Sequence, residues 1–254
     1  MILESFQLSG KNAVVTGSSR GLGAAIAVAL AQAGANVGCH GRSRDGEITA
    51  GRVRDLGRKS FYLAGDISRP EVQASLIDEA LREFGSVEIL VNNAGIIRRR
   101  PAADYAQTDW DEVLAVNLTA VFQLSKSVAQ DLLRRGSGGK IVNIASLLSF
   151  QGGITVPAYA AAKGGVAQLT KALANEWAPM GINVNAIAPG YMATENTTAL
   201  RNDPVRSRQI LDRIPAGRWG APEDVAGAAV FLCSSASNYV HGHVLTVDGG
   251  WMGR

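Results

Sequence analysis

Tyr159 and Lys163 stand four residues apart in the run YAAAK, a spacing that puts both side chains on one face of a helix. A phenol ionises near pH 10, so accepting a proton at neutral pH requires its pKa to fall by about three units, or roughly 4 kcal/mol. An ammonium at about 4 Å in an effective dielectric near 20 supplies roughly that much. The pair can therefore act as a tuned proton donor and acceptor. Taken alone, the same spacing also describes an ordinary amphipathic surface pair, so the rest of the chain must decide.

A second group of residues could bind phosphate. The apolar run AVVT leads directly into Gly17, Gly21 and Gly23 of TGSSRGLG, with Ser19, Arg20 and Leu22 in the same turn. Between a strand and a helix, bare backbone N–H groups and the helix dipole would meet a pyrophosphate, and side chains would obstruct that approach. Glycine is also the ordinary residue of turns and helix starts, so the turn is informative chiefly through its position.

Further elements follow in order: Asp66 after a third strand-like run, NNAG at 92–95, Asn117, Ser146, YAAAK at 159–163 and PG at 189–190. The glycines of the first turn are separated by three residues and then one, which departs from the usual dinucleotide fingerprint. Together these elements resemble the short-chain dehydrogenase/reductase family, from Leu8 to Trp251. The resemblance implies hydride exchange between a nicotinamide cofactor and a carbonyl or secondary alcohol. It implies that Asp66 and Ile67 hold the adenine side, that Asn93, Ala94 and Gly95 line the cofactor channel, and that Pro189, Gly190 and Met192 flank the nicotinamide. It also implies Tyr159 as the proton-transfer group, Ser146 on the substrate oxygen, Lys163 gripping the nicotinamide ribose, and Asn117 holding a relay water. By their chemistry alone Asn92 and Asn93 could be strand-end caps, and their amides can serve both purposes.

Cofactor choice depends on charge at the ribose. About twenty residues beyond the glycine turn, an NAD site usually places an acid on the 2′-hydroxyl. This chain reads GCHGRSR there, with Arg42 in place of the acid and Arg20 before Gly21. Two cations suit a 2′-phosphate, so NADP(H) is expected, with NAD(H) as the second choice.

Substrate recognition is read from NNAGIIRR, SFQGG, ANEWAP, NAIAPGYMAT, ILDRIPAGRWG and VDGGW, which resemble the family's sugar-acid dehydrogenases, enzymes of deoxy keto-sugar acids. A gluconate dehydrogenase or an acyl-thioester ketoreductase stays open beside them. A carboxylate-bearing substrate suits arginine, and Arg98, Arg99, Arg100, Arg201, Arg206, Arg208 and Arg213 are available. Arg98, Ser146, Gln151 and Tyr159 are the expected substrate contacts, although Gln151 could instead cap the loop that follows it. A dinucleotide sensor without catalysis is the reading from a different class, and it would have no need of Tyr159 or Lys163.

These residues require particular elements to position them. Strand-like runs at 13–16, after Asn36, at 60–64, 88–92, 140–146, 182–189 and 243–250 alternate with helical patterns, a βαβ rhythm. The expected fold is one Rossmann-like α/β domain over residues 1–254, with a doubly wound, seven-stranded parallel sheet and helices on both faces. Leu22, Ile26 and Leu30 mark the first helix, Ser68 and Pro70 a cap and helix start, and Thr108 the cap of the helix carrying Asn117. The polar, irregular stretch 191–220 breaks the rhythm where such folds keep substrate loops, and it is expected to be a lid.

Composition narrows the classes. Hydrophobic residues are 46% and charged residues 19% of 254, a balance suited to a folded domain with covered strands. The net charge of +3 comes without a dense basic run, so nucleic acid is not an expected partner. Cys39 and Cys233 offer no disulfide framework, and His241 and His243 lack a third ligand, so no metal is expected. The N-terminal residues carry no leader pattern and no run reaches membrane-spanning length, which favours a cytosolic enzyme. The resemblance adds a homotetramer, with Trp251 near an interface or over its own core.

Overall fold

The computed structural model describes residues Met1 to Arg254, the side chain of Arg44 apart. The chain alternates β1 (Asn12–Val15), α1 (Gly21–Gln32), β2 (Asn36–Gly41), α2 (Glu47–Asp55), β3 (Ser60–Ala64), α3 (Pro70–Phe84) and β4 (Ile89–Asn92). It continues through α4 (Gln107–Leu114), α5 (Ala120–Arg134), β5 (Gly139–Ile144), α6 (Pro157–Trp177) and β6 (Ile182–Pro189). After β6 come α7 (Thr198–Asn202), α8 (Pro204–Leu211), α9 (Ala226–Cys233) and the edge strand β7 (Val244–Val247). All pairings are parallel, in the order β3-β2-β1-β4-β5-β6-β7. The order reverses between β1 and β4, and the crevice at the carboxyl ends of those strands is where such sheets bind ligands.

Alternation along the strands builds two cores. Ala13, Val15, Ile89, Val91, Val142 and Ile144 face one layer, where Ile26, Leu30, Ala229 and Leu232 cover them. Val14, Leu90 and Ile141 face the other, against Leu76, Leu124, Leu132 and Trp177. Successive strand residues point to opposite faces, so covering both faces requires the nearly continuous apolar strands seen in the sequence.

Three local expectations are corrected. Ser68 does not cap α3. Its amide and hydroxyl both donate to Asp66 Oδ1, at 3.0 and 2.8 Å, while Arg69 occupies the cap position and Pro70 begins the helix. Thr108 lies inside α4, whose cap position is Ala106. The stretch 191–220 is also more ordered than its composition suggests. It contains α7 and α8, and Asp203 caps α8 by accepting from the Val205 and Arg206 amides.

The paired histidines contact two asparagine side chains of β6. The His243 amide donates to Asn185 Oδ1 at 3.0 Å, and His241 Nε2 lies 3.1 Å from Asn183 Nδ2. Among the described residues no cluster of three metal-ligating side chains occurs, and no helix is long and apolar enough to cross a membrane.

Candidate active site

The glycine turn has the stereochemistry of a phosphate cradle. Gly17 and Gly21 take left-handed φ values of 63° and 57°, open to glycine at no steric cost. A Cβ on Gly17 would lie 2.8 Å from Ala94 Cα, and one on Gly23 would strike the Gly17 carbonyl and the Asn93 amide. Helix α1 starts at Gly21 with no side-chain cap and no acid in its first turn. Its first amides are therefore free to meet an anion at the positive end of the helix. These residues fit a dinucleotide's pyrophosphate.

β4 is fastened directly to that turn. Asn93 Nδ2 donates to the Thr16 and Gly17 carbonyls, both at 2.9 Å. The amides of Asn93 and Ala94 donate to Thr16 Oγ1, both at 3.0 Å. Asn93 thus ties the turn in place while Ala94 and the exposed Gly95 leave room beside it. Asn92 points the other way, into a buried network with Ser125 and Asn143.

The two cations expected at the ribose face different acids. Arg42 lies 3.6 Å from Asp66, whereas Arg20 reaches Glu195, beyond β6, at 2.6 Å. Partial burial pushes the Asp66 carboxyl up, but the Ser68 hydrogen bonds and the charges of Arg42 and Arg69 outweigh it and hold the group below its ordinary value. Ile67 and Met192 have their side chains in the core, which leaves their backbone atoms to face a ligand. Gly190 closes against Asp248, where a Cβ would fall 2.6 Å from Cα, and its amide donates to the Val247 carbonyl. Pro189 ends β6 immediately before it.

Ser146, Tyr159 and Lys163 converge at the end of β5. Ser146 follows the strand and leads a short turn, its Oγ accepting from the Leu148 amide at 3.2 Å. The same hydroxyl is close enough to the Tyr159 phenol to lower it. Lys163 is buried one helical turn further along α6. Its ammonium donates to the Ile144 carbonyl at 2.5 Å and lies 5.7 Å from the Tyr159 ring centre. Burial lowers Lys163 to about 8.

The Tyr159 phenol is raised, contrary to the tuned base read from the sequence. Burial pushes it up, and the Ser146 hydroxyl and the Arg99 charge only partly oppose that. Burial is the larger influence, and the Lys163 ammonium, expected to oppose it, is anchored on the Ile144 carbonyl.

Two further expectations change. Arg98 makes bonds of 2.9 and 2.8 Å to both oxygens of Glu112 and lies 3.8 Å from Asp109, so its charge is matched within the protein. The neighbour whose charge reaches Tyr159 is Arg99. Gln151 caps no loop with its carbonyl. Its Oε1 accepts from Trp251 Nε1 at 3.1 Å. Trp251 is buried with Leu147, Ile210 and Ile214 of its own chain, and Arg213 lies over its ring at 4.1 Å.

Asn117 sits in a π-helical turn, Ala115–Thr119, that joins α4 to α5. Its amide is fully engaged by Ile96, accepting from that amide and donating to that carbonyl, each at 2.8 Å. Sequence reasoning missed Ser149. Its Oγ accepts from the Ser146 amide at 3.3 Å and donates to the Lys163 carbonyl at 2.7 Å, bridging the two sides of the site. The only sequence signal was its place three residues after Ser146.

Known proteins are similar to this chain over nearly its whole length. A family model described as enoyl-(acyl carrier protein) reductase matches residues 17–252. The chain is similar to 2-dehydro-3-deoxy-D-gluconate 5-dehydrogenase of Dickeya dadantii, with 53% identity over 255 residues and 100% of both chains covered. It is similar to a solved structure from Agrobacterium tumefaciens with bound NADP, at 55% identity and a TM-score of 0.92, covering 98% of this chain and 99% of that one. A gluconate 5-dehydrogenase from Burkholderia cenocepacia, solved with NADP and tartrate, is 41% identical with a TM-score of 0.95 over 100% of both chains.

Proposed function

Because this chain belongs to the short-chain dehydrogenase/reductase family, we propose that it moves hydride between NADP(H) and a keto or hydroxy group of a deoxy sugar acid, with 2-dehydro-3-deoxy-D-gluconate as the first substrate to test. The observation that carries the reading is full-length identity of 53% to an enzyme of that name, joined to a Ser146–Tyr159–Lys163 cluster beside a phosphate cradle. Support for NADP(H) over NAD(H) comes from Arg42 at the ribose position and from the NADP in both solved relatives.

The cofactor, when bound, supplies or accepts the hydride and in its oxidised form adds positive charge near the phenol. In the reductive direction Ser146 holds the substrate oxygen and the Tyr159 phenol donates its proton to it. In the oxidative direction the phenolate removes the hydroxyl proton. Lys163, fixed by Ile144, would hold the nicotinamide ribose and keeps a cation near the tyrosine ring. With the Asn117 amide engaged by Ile96, its backbone carbonyl is the atom to hold a relay water. Arg99, which is in no ion pair among the described residues and whose charge reaches Tyr159, is the candidate for the substrate carboxylate. The segment 191–220 is the lid of the substrate side, tied to the cofactor turn through Glu195 and Arg20.

A homotetramer in the cytosol belongs to the same reading, and light scattering of the purified protein tests the assembly. Gluconate oxidation is the second reading, favoured by the Burkholderia relative. Initial rates on 2-keto-3-deoxygluconate, 4-deoxy-5-keto uronate, gluconate and an acetoacetyl thioester, each with both nicotinamide cofactors, separate these readings. The expected result is the highest kcat/KM on a deoxy keto-sugar acid with the phosphorylated cofactor. Preference for the thioester would overturn the substrate assignment.

A further inference from the structure

His40, the penultimate residue of β2, is buried at 2% exposure, and the reaction does not use it. Its ring spans two turns. Nδ1 lies 3.4 Å from the Gly17 amide and Nε2 lies 3.2 Å from the Gly65 carbonyl. A peptide N–H can only donate and a carbonyl can only accept, so the contacts select one neutral tautomer, with the proton on Nε2. Its backbone is equally engaged: the Ser18 amide donates to the His40 carbonyl at 2.8 Å, and the His40 amide donates to Ser18 Oγ at 3.0 Å. The Gly65 amide in turn donates to the Gly41 carbonyl at 2.9 Å. One imidazole therefore joins the phosphate cradle at Gly17, the β2 exit that carries Arg42 and the β3 exit that carries Asp66.

We propose that His40 is a positioning residue for the adenosine half of the dinucleotide, its neutral ring setting the spacing between the phosphate turn and the wall that holds the adenine and 2′-phosphate. The proposal rests on the cofactor reading above, and it concerns no atom that takes part in the hydride step. A residue acting in this way controls affinity for the cofactor and leaves turnover at saturation alone. Asparagine keeps an acceptor near the Nδ1 position and loses the reach to Gly65, whereas leucine fills the space and makes neither bond.

The experiment titrates NADPH, and separately adenosine 2′,5′-bisphosphate, into wild type, His40→Asn and His40→Leu by calorimetry, with thermal melting of each free protein and kcat at saturating NADPH. We expect leucine to weaken both ligands about tenfold and asparagine to restore part of that affinity, with kcat within about twofold of wild type throughout. Unchanged affinity in His40→Leu, with only a lower melting temperature, would assign the ring to core stability and overturn the proposal. If leucine prevents folding, the asparagine protein decides alone, because wild-type affinity there removes any need for the Gly65 bond. Wild type that binds neither NADPH nor NADH would instead sink the cofactor reading itself.

Discussion

At Tyr159 two influences oppose each other, and burial prevails. The phenol is raised despite the Ser146 hydroxyl and the Arg99 charge, so it stays protonated through neutral pH and is ready to donate in the reductive direction. Lys163, lowered to about 8 by burial, loses its ammonium above that pH. For reduction, kcat/KM should be level through neutrality and fall above about 8, whereas oxidation, which needs the phenolate, should rise with pH from neutrality. A reduction rate already falling below neutrality would show that the phenol is lowered in the free enzyme. Arg42 allows a second test at this scale. Its exposed contact with Asp66 contributes at most about 1 kcal/mol to stability, but charge-assisted bonds to a phosphate are stronger. Arg42→Ala should leave the melting temperature nearly unchanged and cut the NADPH-to-NADH preference at least about tenfold. An unaltered preference would remove Arg42 from the ribose site. The identities of these residues were legible from their types and spacing. Their tuning was not, because it depends on Ile144, Glu112 and Ile96 contacts made at a distance in the chain.

The elements were legible to different degrees. SFYLA at 60–64 and INVNAIAP at 182–189 are strands over those limits, because β-rich apolar runs bounded by turns leave little alternative. Helix caps were read less well. Ser68 had the right chemistry for a cap but found a stronger partner in Asp66. The π turn at Asn117 carries no sequence signature, and α7 and α8 are too short and polar to show a helical period. Gly23 permits an element-scale test. Alanine inside a helix usually gains about 0.5–1 kcal/mol over glycine, but here its methyl would meet the Gly17 carbonyl and the Asn93 amide. Overpacking of about 1–3 kcal/mol outweighs the gain, so Gly23→Ala should lower the melting temperature and weaken NADPH binding. A stabilised protein with unchanged affinity would contradict the close approach of α1 to β4.

Over the whole molecule, the parallel, doubly wound sheet could be inferred because alternating strands and helices with a glycine turn after β1 leave few topologies. What joins the parts could not. His40 lies 23 residues from Gly17 and 25 from Gly65, and nothing in GCHGR reveals that its ring is internal. That burial has a global consequence. The folded protein holds His40 near 4, chiefly by burial, which outweighs its Gly65 bond and the Asp66 charge, against an ordinary 6.5. The unfolded chain therefore takes up the proton first. Stability should decline as pH falls below about 6.5 and level off below about 4, by a total of about 3 kcal/mol. Denaturant melts across that window should show the decline in wild type and a shallower one in His40→Asn. Equal slopes in the two proteins would place the imidazole in contact with water.

The central claim is that the Tyr159 hydroxyl exchanges the proton while hydride crosses to or from the adjacent carbon. Single-turnover growth of NADPH fluorescence from NADP+ on 2-keto-3-deoxygluconate, compared between wild type and Tyr159→Phe with NADP+ affinity measured on the same preparations, tests it most directly. The predicted result is a rate at least about a hundredfold slower with affinity unchanged. A phenylalanine protein that turns over within a few-fold of wild type would contradict the account.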